Sequence, residues 1–181
     1  MTWSASDDMA ASLAELLRRH QQAIVFAESC TAGLIAATLG RIAGISEWLA
    51  GSAVVYQVQT KAEWLGVDRN SLTDPGPVSR MVSEQMALGV LERTPQATIA
   101  ASVTGYLGPD SPADQDGVAW SSIAFKTSTD VTVTSRRLYP DNDLSGVSTK
   151  RMSALELRHV RQVFAAQQVL QFCVEHFPRC V

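Results

Sequence analysis

The sequence predicts an α/β fold, a three-layer α/β/α sandwich on a mixed, mostly parallel sheet. Short apolar runs of β-forming residues alternate with stretches of helical periodicity, the pattern of a sheet covered by helices on both faces. Two such runs near residues 118–138 follow one another with no helix between them, so that part of the sheet is expected to be antiparallel. With 181 residues the chain is read as one domain, 1–181, long enough to bury about 70% of its unfolded surface without staples.

Ser4, Ser6 and Asp7 offer N-caps to an amphipathic helix in which Met9, Leu13, Leu16 and Leu17 recur as far as His20. Residues 23–27 are a continuous apolar run suited to a strand buried on both faces, ended by the polar turn of residues 28–33. Leu34, Ile35, Leu39 and Ile42 describe a second helix closed by Gly44. Residues 48–58 read as a strand centred on Val54, Val55 and Tyr56, and residues 59–66 as a short helix ended by Gly66. After the turn cluster Asp74, Pro75, Gly76 and Pro77, Ser79 caps a helix carrying Val82, Met86, Leu88, Val90 and Leu91. Residues 97–103, 118–125 and 131–138 read as strands. Residues 151–177 read as mostly helical, in a pattern long enough to contain a break, and residues 104–117 and 139–150 are the long loops.

Composition narrows the function. A 46% hydrophobic and 18% charged chain is neither disordered nor collagen-like nor a coiled coil. Its net charge of -3 offers no footprint for phosphate backbones, so no nucleic-acid partner is expected. Cys30, Cys173 and Cys180 lack CxxC spacing, and no His/Asp/Glu grouping has metal-ligand spacing, so neither a disulfide framework nor a metal is indicated. The first twenty residues carry Asp7, Asp8 and Glu15 where a signal peptide would be basic and then apolar, and no apolar run approaches the ~20 residues of a membrane span. A cytoplasmic protein without a membrane partner is expected.

Three clusters could carry chemistry. Loops beyond the carboxyl ends of strands bind ligands in open α/β sheets, which singles out residues 28–33. Ser29 and Thr31 stand where helix-start amides would favour an oxyanion, and equally where either could be a plain N-cap. Cys30 has no histidine in its neighbourhood of sequence and reads as a packed thiol. Tyr56 and Lys61 lie at the next strand end, where a desolvated lysine can serve as general base, although an exposed helix face is the commoner fate of lysine. The third cluster is the glycine loop from Val103 to Asp110, which matches neither a Walker A motif nor GxGxxG.

Taken together and in order, these blocks resemble a known family. The run Ala27-Glu28-Ser29-Cys30-Thr31-Ala32-Gly33-Leu34 is similar to the AESCTGG signature of the CinA C-terminal domain family, the nicotinamide-nucleotide amidohydrolases. Ala43-Gly44-Ile45-Ser46, Tyr56 to Lys61, Leu65-Gly66-Val67, Gly76-Pro77-Val78-Ser79, Thr104-Gly105-Tyr106-Leu107-Gly108-Pro109 and Gly117-Val118-Ala119-Trp120 follow in the family's order.

The resemblance implies hydrolysis of the carboxamide of nicotinamide mononucleotide to nicotinate mononucleotide and ammonia, with no metal or bound cofactor, by a stand-alone domain. Ser29 would be the nucleophile, Lys61 its base and Tyr56 a proton relay or orienting group. Glu28, Thr31, Ala32, Gly33, Thr104, Gly105 and Gly108 would line the substrate site, and amides of residues 31–33 would meet the oxyanion. Ser29 Oγ and Lys61 Nζ should lie within hydrogen-bond reach, with Glu28 turned away from Lys61. A small-molecule nucleotide is then the partner, and a homo-oligomer is expected.

The sequence also departs from the family pattern. Ala32 replaces a family glycine, Gln57-Val58-Gln59-Thr60 replaces SNEA, and Asp143 stands where the family's FPGDR supplies an arginine. Lys150, Arg151 or Arg158 could replace that charge if the chain folds back, while Asp110, Asp114 and Asp116 would repel a phosphate if they face the site. These departures motivate two alternatives: a non-catalytic relative that binds a nucleotide or a protein, and a serine–lysine amidase for a substrate without phosphate.

Overall fold

A computed structural model describes residues 4–109, 111–141 and 152–177. The elements are α1 (Ser4–His20), β1 (Ile24–Glu28), α2 (Leu34–Leu39), β2 (Leu49–Val54), α3 (Val58–Leu65), α4 (Arg69–Thr73), α5 (Arg80–Glu92), β3 (Ile99–Tyr106), β4 (Val118–Lys126), β5 (Val131–Leu138) and α6 (Ala154–Glu175). The five strands form one sheet in the order β2-β1-β3-β4-β5. β1 runs parallel to β2 and β3, whereas β4 is antiparallel to β3 and β5. The expected mixed, mostly parallel sheet is thus present: β1, β2, β3 and β5 run the same way, and β4 alone runs against them. The reason is topological: loops, not crossover helices, join β3 to β4 and β4 to β5, and a strand that returns through a loop must run antiparallel.

Alternate residues of β1 face opposite ways, so Ile24 and Phe26 enter one core and Val25 and Ala27 the other. The first core is covered by α1, α2 and α6, and the second by α3, α4 and α5, which gives the three layers. Gly89 of α5 makes the second packing possible, because a Cβ there would lie 2.0 Å from the Leu65 carbonyl oxygen at the end of α3. That contact seats α3, and with it Lys61, against α5.

Several boundaries move. Val55 and Tyr56 leave β2 for the loop before α3, α2 ends at Leu39 and not near Gly44, and the short α4, capped by Asp68, adds an element. The stretch read as mostly helical is one helix, continuous over 22 residues and beginning at Ala154. A reciprocal cap sets its start: Ser153 Oγ accepts from the Glu156 amide, and the Glu156 carboxylate accepts from the Ser153 amide. Among the described residues no helix is long and apolar enough to cross a membrane.

Candidate active site

Three neighbouring strand ends build the site. Ser29, the first residue beyond β1, donates its amide to the Val103 carbonyl of β3 at 3.1 Å, and Val55 donates its amide to the Glu28 carbonyl at 2.8 Å. These bonds extend the sheet by one residue on each side and fix where the Ser29 hydroxyl and the Val55 carbonyl stand. Lys61, in the first turns of α3, reaches back to both: Nζ lies 2.7 Å from Ser29 Oγ and 2.9 Å from the Val55 oxygen. The side chains expected to meet therefore do meet, and Lys61 is only 2% exposed. Burial lowers its pKa from 10.5 to about 8, because a desolvated ammonium is disfavoured and no carboxylate bonds to it.

Glu28 explains why no carboxylate intervenes. Its side chain is fully buried and accepts five hydrogen bonds, from Thr31 Oγ1 and the amides of Gly33 and Ile35 on one oxygen, and from the Ala36 amide and Ser52 Oγ on the other. The carboxylate thereby occupies the amino end of α2, the place where sequence reasoning set an anion or oxyanion. Glu28, Thr31 and Gly33 are thus turned to the chain's own structure, and none of them lines the cleft beside Ser29; nor does Ala32. Ser29 is no N-cap either, since Gly33 holds that position and the Ser29 hydroxyl is on Lys61. The Ala32 amide returns to the Ser29 carbonyl, and the Gly33 amide goes to Glu28. Within residues 29–36, that leaves the amides of Cys30 and Thr31 without a protein acceptor among the described residues.

Ala32 has φ 53°, in the left-handed region that a side chain resists, so its replacement of a family glycine is a strained one. Cys30 is buried in the first core, and burial pushes its thiol up to about 12, as a packed structural cysteine requires. His20, His159 and His176 are all absent from the cleft lining.

The cleft has a volume of about 260 Å³ and is walled by Tyr56, Val58, Pro77, Val78, Leu107 and Pro109, with Ser29, Lys61 and Arg158 among its polar groups. Thr104 and Gly105 line it as expected. Thr104 Oγ1 donates to the Pro77 carbonyl at 2.8 Å, and a Cβ on Gly105 would strike Ala119 at 2.5 Å, so this wall is packed tight against β4. Gly108 stands just outside, at φ 65°, contributing its carbonyl to Arg158. Tyr56 is 52% exposed, and its hydroxyl accepts from Arg158; it bonds to neither Ser29 nor Lys61.

Of the charges weighed for the missing family arginine, Arg158 reaches the cleft. Asp143, Lys150, Arg151 and Asp110 lie outside the described residues. Asp116 is held by Arg161, and Asp114 lines a different depression with Trp120 and Arg137, so neither faces Ser29. Sequence reasoning missed Ser111, Val58, Pro77 and Val78 as lining residues, although the last three lie in blocks that carry the family resemblance. For Arg158 a signal existed, because the Ser153-to-Glu156 spacing of a reciprocal helix cap fixes the helix start and hence the turn on which Arg158 stands.

Comparison with known proteins agrees with this architecture. The CinA C-terminal domain profile matches residues 6–162. A CinA-like protein of Myxococcus xanthus is 35% identical over 173 residues, covering 94% of this chain and 37% of its own length. A second, from Cyanothece, is 42% identical over 106 residues, which are 25% of its length. The chain therefore spans between a quarter and somewhat over a third of these relatives. The Escherichia coli nicotinamide-nucleotide amidohydrolase PncC is 32% identical over 139 residues, covering 77% of this chain and 84% of that protein. The crystal structure of the competence/damage inducible protein CihA from Agrobacterium tumefaciens superposes with a TM-score of 0.77 at 26% identity, covering 94% of both chains. That of the competence damage-inducible protein A from Klebsiella pneumoniae gives 0.80 at 22%, a likeness of fold. With its signature turn, its mixed five-stranded sheet and these matches in agreement, the chain belongs to the CinA C-terminal domain family.

Proposed function

We propose that this chain hydrolyses the carboxamide of nicotinamide mononucleotide, with Ser29 as nucleophile and Lys61 as its base. The observation that carries the reading is the buried 2.7 Å contact between Lys61 Nζ and Ser29 Oγ, with a lysine pKa near 8 and no carboxylate on the amine. Neutral Lys61 keeps one N–H on the Val55 carbonyl, which turns its lone pair toward the Ser29 hydroxyl. It accepts the serine proton as Oγ bonds to the amide carbon, and the amides of Cys30 and Thr31, next in the chain after the nucleophile, would meet the oxyanion. The resulting ammonium of Lys61 returns its proton to the departing nitrogen, so ammonia leaves as the C–N bond breaks and an ester to Ser29 remains. Water then cleaves that ester with Lys61 again as base, which releases the carboxylic acid and restores Ser29.

The apolar cleft walls suit a flat pyridine ring, and Tyr56 serves as an orienting group at the mouth. The name of the Escherichia coli relative supports the choice of substrate. Ammonia release from nicotinamide mononucleotide by the purified protein is the direct test, with Ser29→Ala as control. Release no greater than that of the control overturns the proposal.

A further inference from the structure

Two arginines of α6, three residues apart, are treated in opposite ways by their surroundings. Arg161 is 6% exposed and forks onto both oxygens of Asp141, at 2.7 and 2.8 Å, and both of Asp116, at 3.0 and 3.1 Å. Two carboxylates on one guanidinium leave that corner with no positive charge to spare. Arg158 has only neutral partners, the Gly108 carbonyl and the Tyr56 hydroxyl, and among the described residues no carboxylate pairs with it. Among the described residues its charge has no carboxylate partner, and it lines the same cleft as Ser29 and Lys61.

We propose that Arg158 is the anchor for a phosphate monoester on the substrate of the Ser29–Lys61 cleft, and so the residue that sets the preference for a phosphorylated amide. The proposal rests on the amide-hydrolysis reading for the rest of the substrate, but its own argument is one of charge and placement. Among the described residues no aspartate or glutamate lines the cleft, and a reactive Lys61 is neutral, so of these residues Arg158 carries the permanent charge that an arriving ligand meets. A guanidinium has five N–H donors, and two are engaged, which leaves three in a planar fork suited to phosphate oxygens. The fork is already held from two sides, by the glycine loop and by the loop after β2, so little ordering remains to be done on binding. Ser111 adds a donor: its Oγ accepts from the Gly108 amide at 3.0 Å, and its own O–H is directed to no protein acceptor among the described residues. The Arg161 cluster keeps Asp116 and Asp141 from competing for the same fork.

The test uses nicotinamide mononucleotide and nicotinamide riboside, which differ by the phosphate, with binding measured calorimetrically on Ser29→Ala protein so that turnover does not intervene. The mononucleotide should bind roughly ten- to hundredfold more tightly, as a charge-assisted contact implies. Adding Arg158→Met should erase that difference by weakening mononucleotide binding far more than riboside binding, while Arg158→Lys, a charge without a fork, should fall between. Inorganic phosphate should compete with the mononucleotide and not with the riboside, a measurement that needs no variant at position 158. Equal binding of the two probes, binding of neither, a preference that survives Arg158→Met, or failure of phosphate to compete overturns the proposal. Absence of ammonia release by the unmodified protein, with the preference intact in Ser29→Ala, would overturn the hydrolytic reading and leave the anchor standing.

Discussion

The pH dependence of ammonia release tests the role of Lys61 most sharply, because the structure supplies the midpoint. With a pKa of about 8, the neutral fraction of Lys61 is about 1% at pH 6, about 9% at pH 7 and about 91% at pH 9. If the neutral amine is the base, kcat/KM should rise about tenfold per unit below pH 8 and level off above it, roughly ninety-fold in all between pH 6 and 9. Burial is the larger cause of the shift, and Cys30 opposes it, so the value of about 8 already includes both. The assay is initial-rate ammonia release in overlapping buffers at constant ionic strength. Lys61→Arg and Lys61→Met should each lose about 10²–10⁴-fold, one because guanidinium holds its proton and the other because it has no base. A rate that is flat from pH 6 to 9, a midpoint near the unperturbed 10.5, or full activity in Lys61→Arg would refute the reasoning.

The same shift sets a stability trend of known sign. The folded pKa lies below the unfolded one, so the unfolded chain binds more protons between about pH 8 and 10.5, and stability from this group rises with pH across that window. Below it the folded state carries the full cost of the buried charge, on the order of 3 kcal/mol at most.

Three further outcomes follow from the site's construction. Glu28→Gln should lower unfolding free energy by about 2–3 kcal/mol in denaturant titrations, because an amide NH₂ would face the Ala36 amide or the Gly33 and Ile35 amides with no acceptor for them. Cys30→Ala should lower thermal stability by about 1 kcal/mol or more while leaving ammonia release nearly unchanged; loss of turnover in a folded variant would transfer the nucleophile's role from Ser29 to Cys30. Ala32→Gly should raise unfolding free energy by about 0.5–1 kcal/mol by relieving the left-handed backbone at φ 53°, and no gain in melting temperature would show that the turn is unstrained.

Much of the scaffold was legible because its signals are local. The apolar run of β1, the cap at Ser79 and the glycine stop at Gly66, which has φ 72°, each act within one or two turns of the chain. The signature turn put Ser29 at the end of β1, and parallel pairing of β1 with β2 brings Lys61, in the first turns of α3, within reach of it. What escaped depends on distant residues. Arg158 meets Tyr56 across 102 residues of sequence, and nothing near either one announces the other. α6 is helical as expected, but its start at Ala154 is set by the Ser153 and Glu156 cap, which periodicity alone does not locate.

Glu28 turns away from Lys61 as expected, but what it does instead was not legible in the sequence. It caps α2 from five to eight residues upstream, outside the positions where N-caps are sought, so its role emerges only once β1 and α2 are packed. Its placement has two consequences for the chemistry. With both oxygens engaged by five donors, the carboxylate makes no bond to Lys61, and burial alone is left to lower the amine's pKa. By filling the amino end of α2 it also denies that position to any anion of the substrate. An anion on the substrate would therefore have to be held from another element, and Arg158 on α6 lines the cleft.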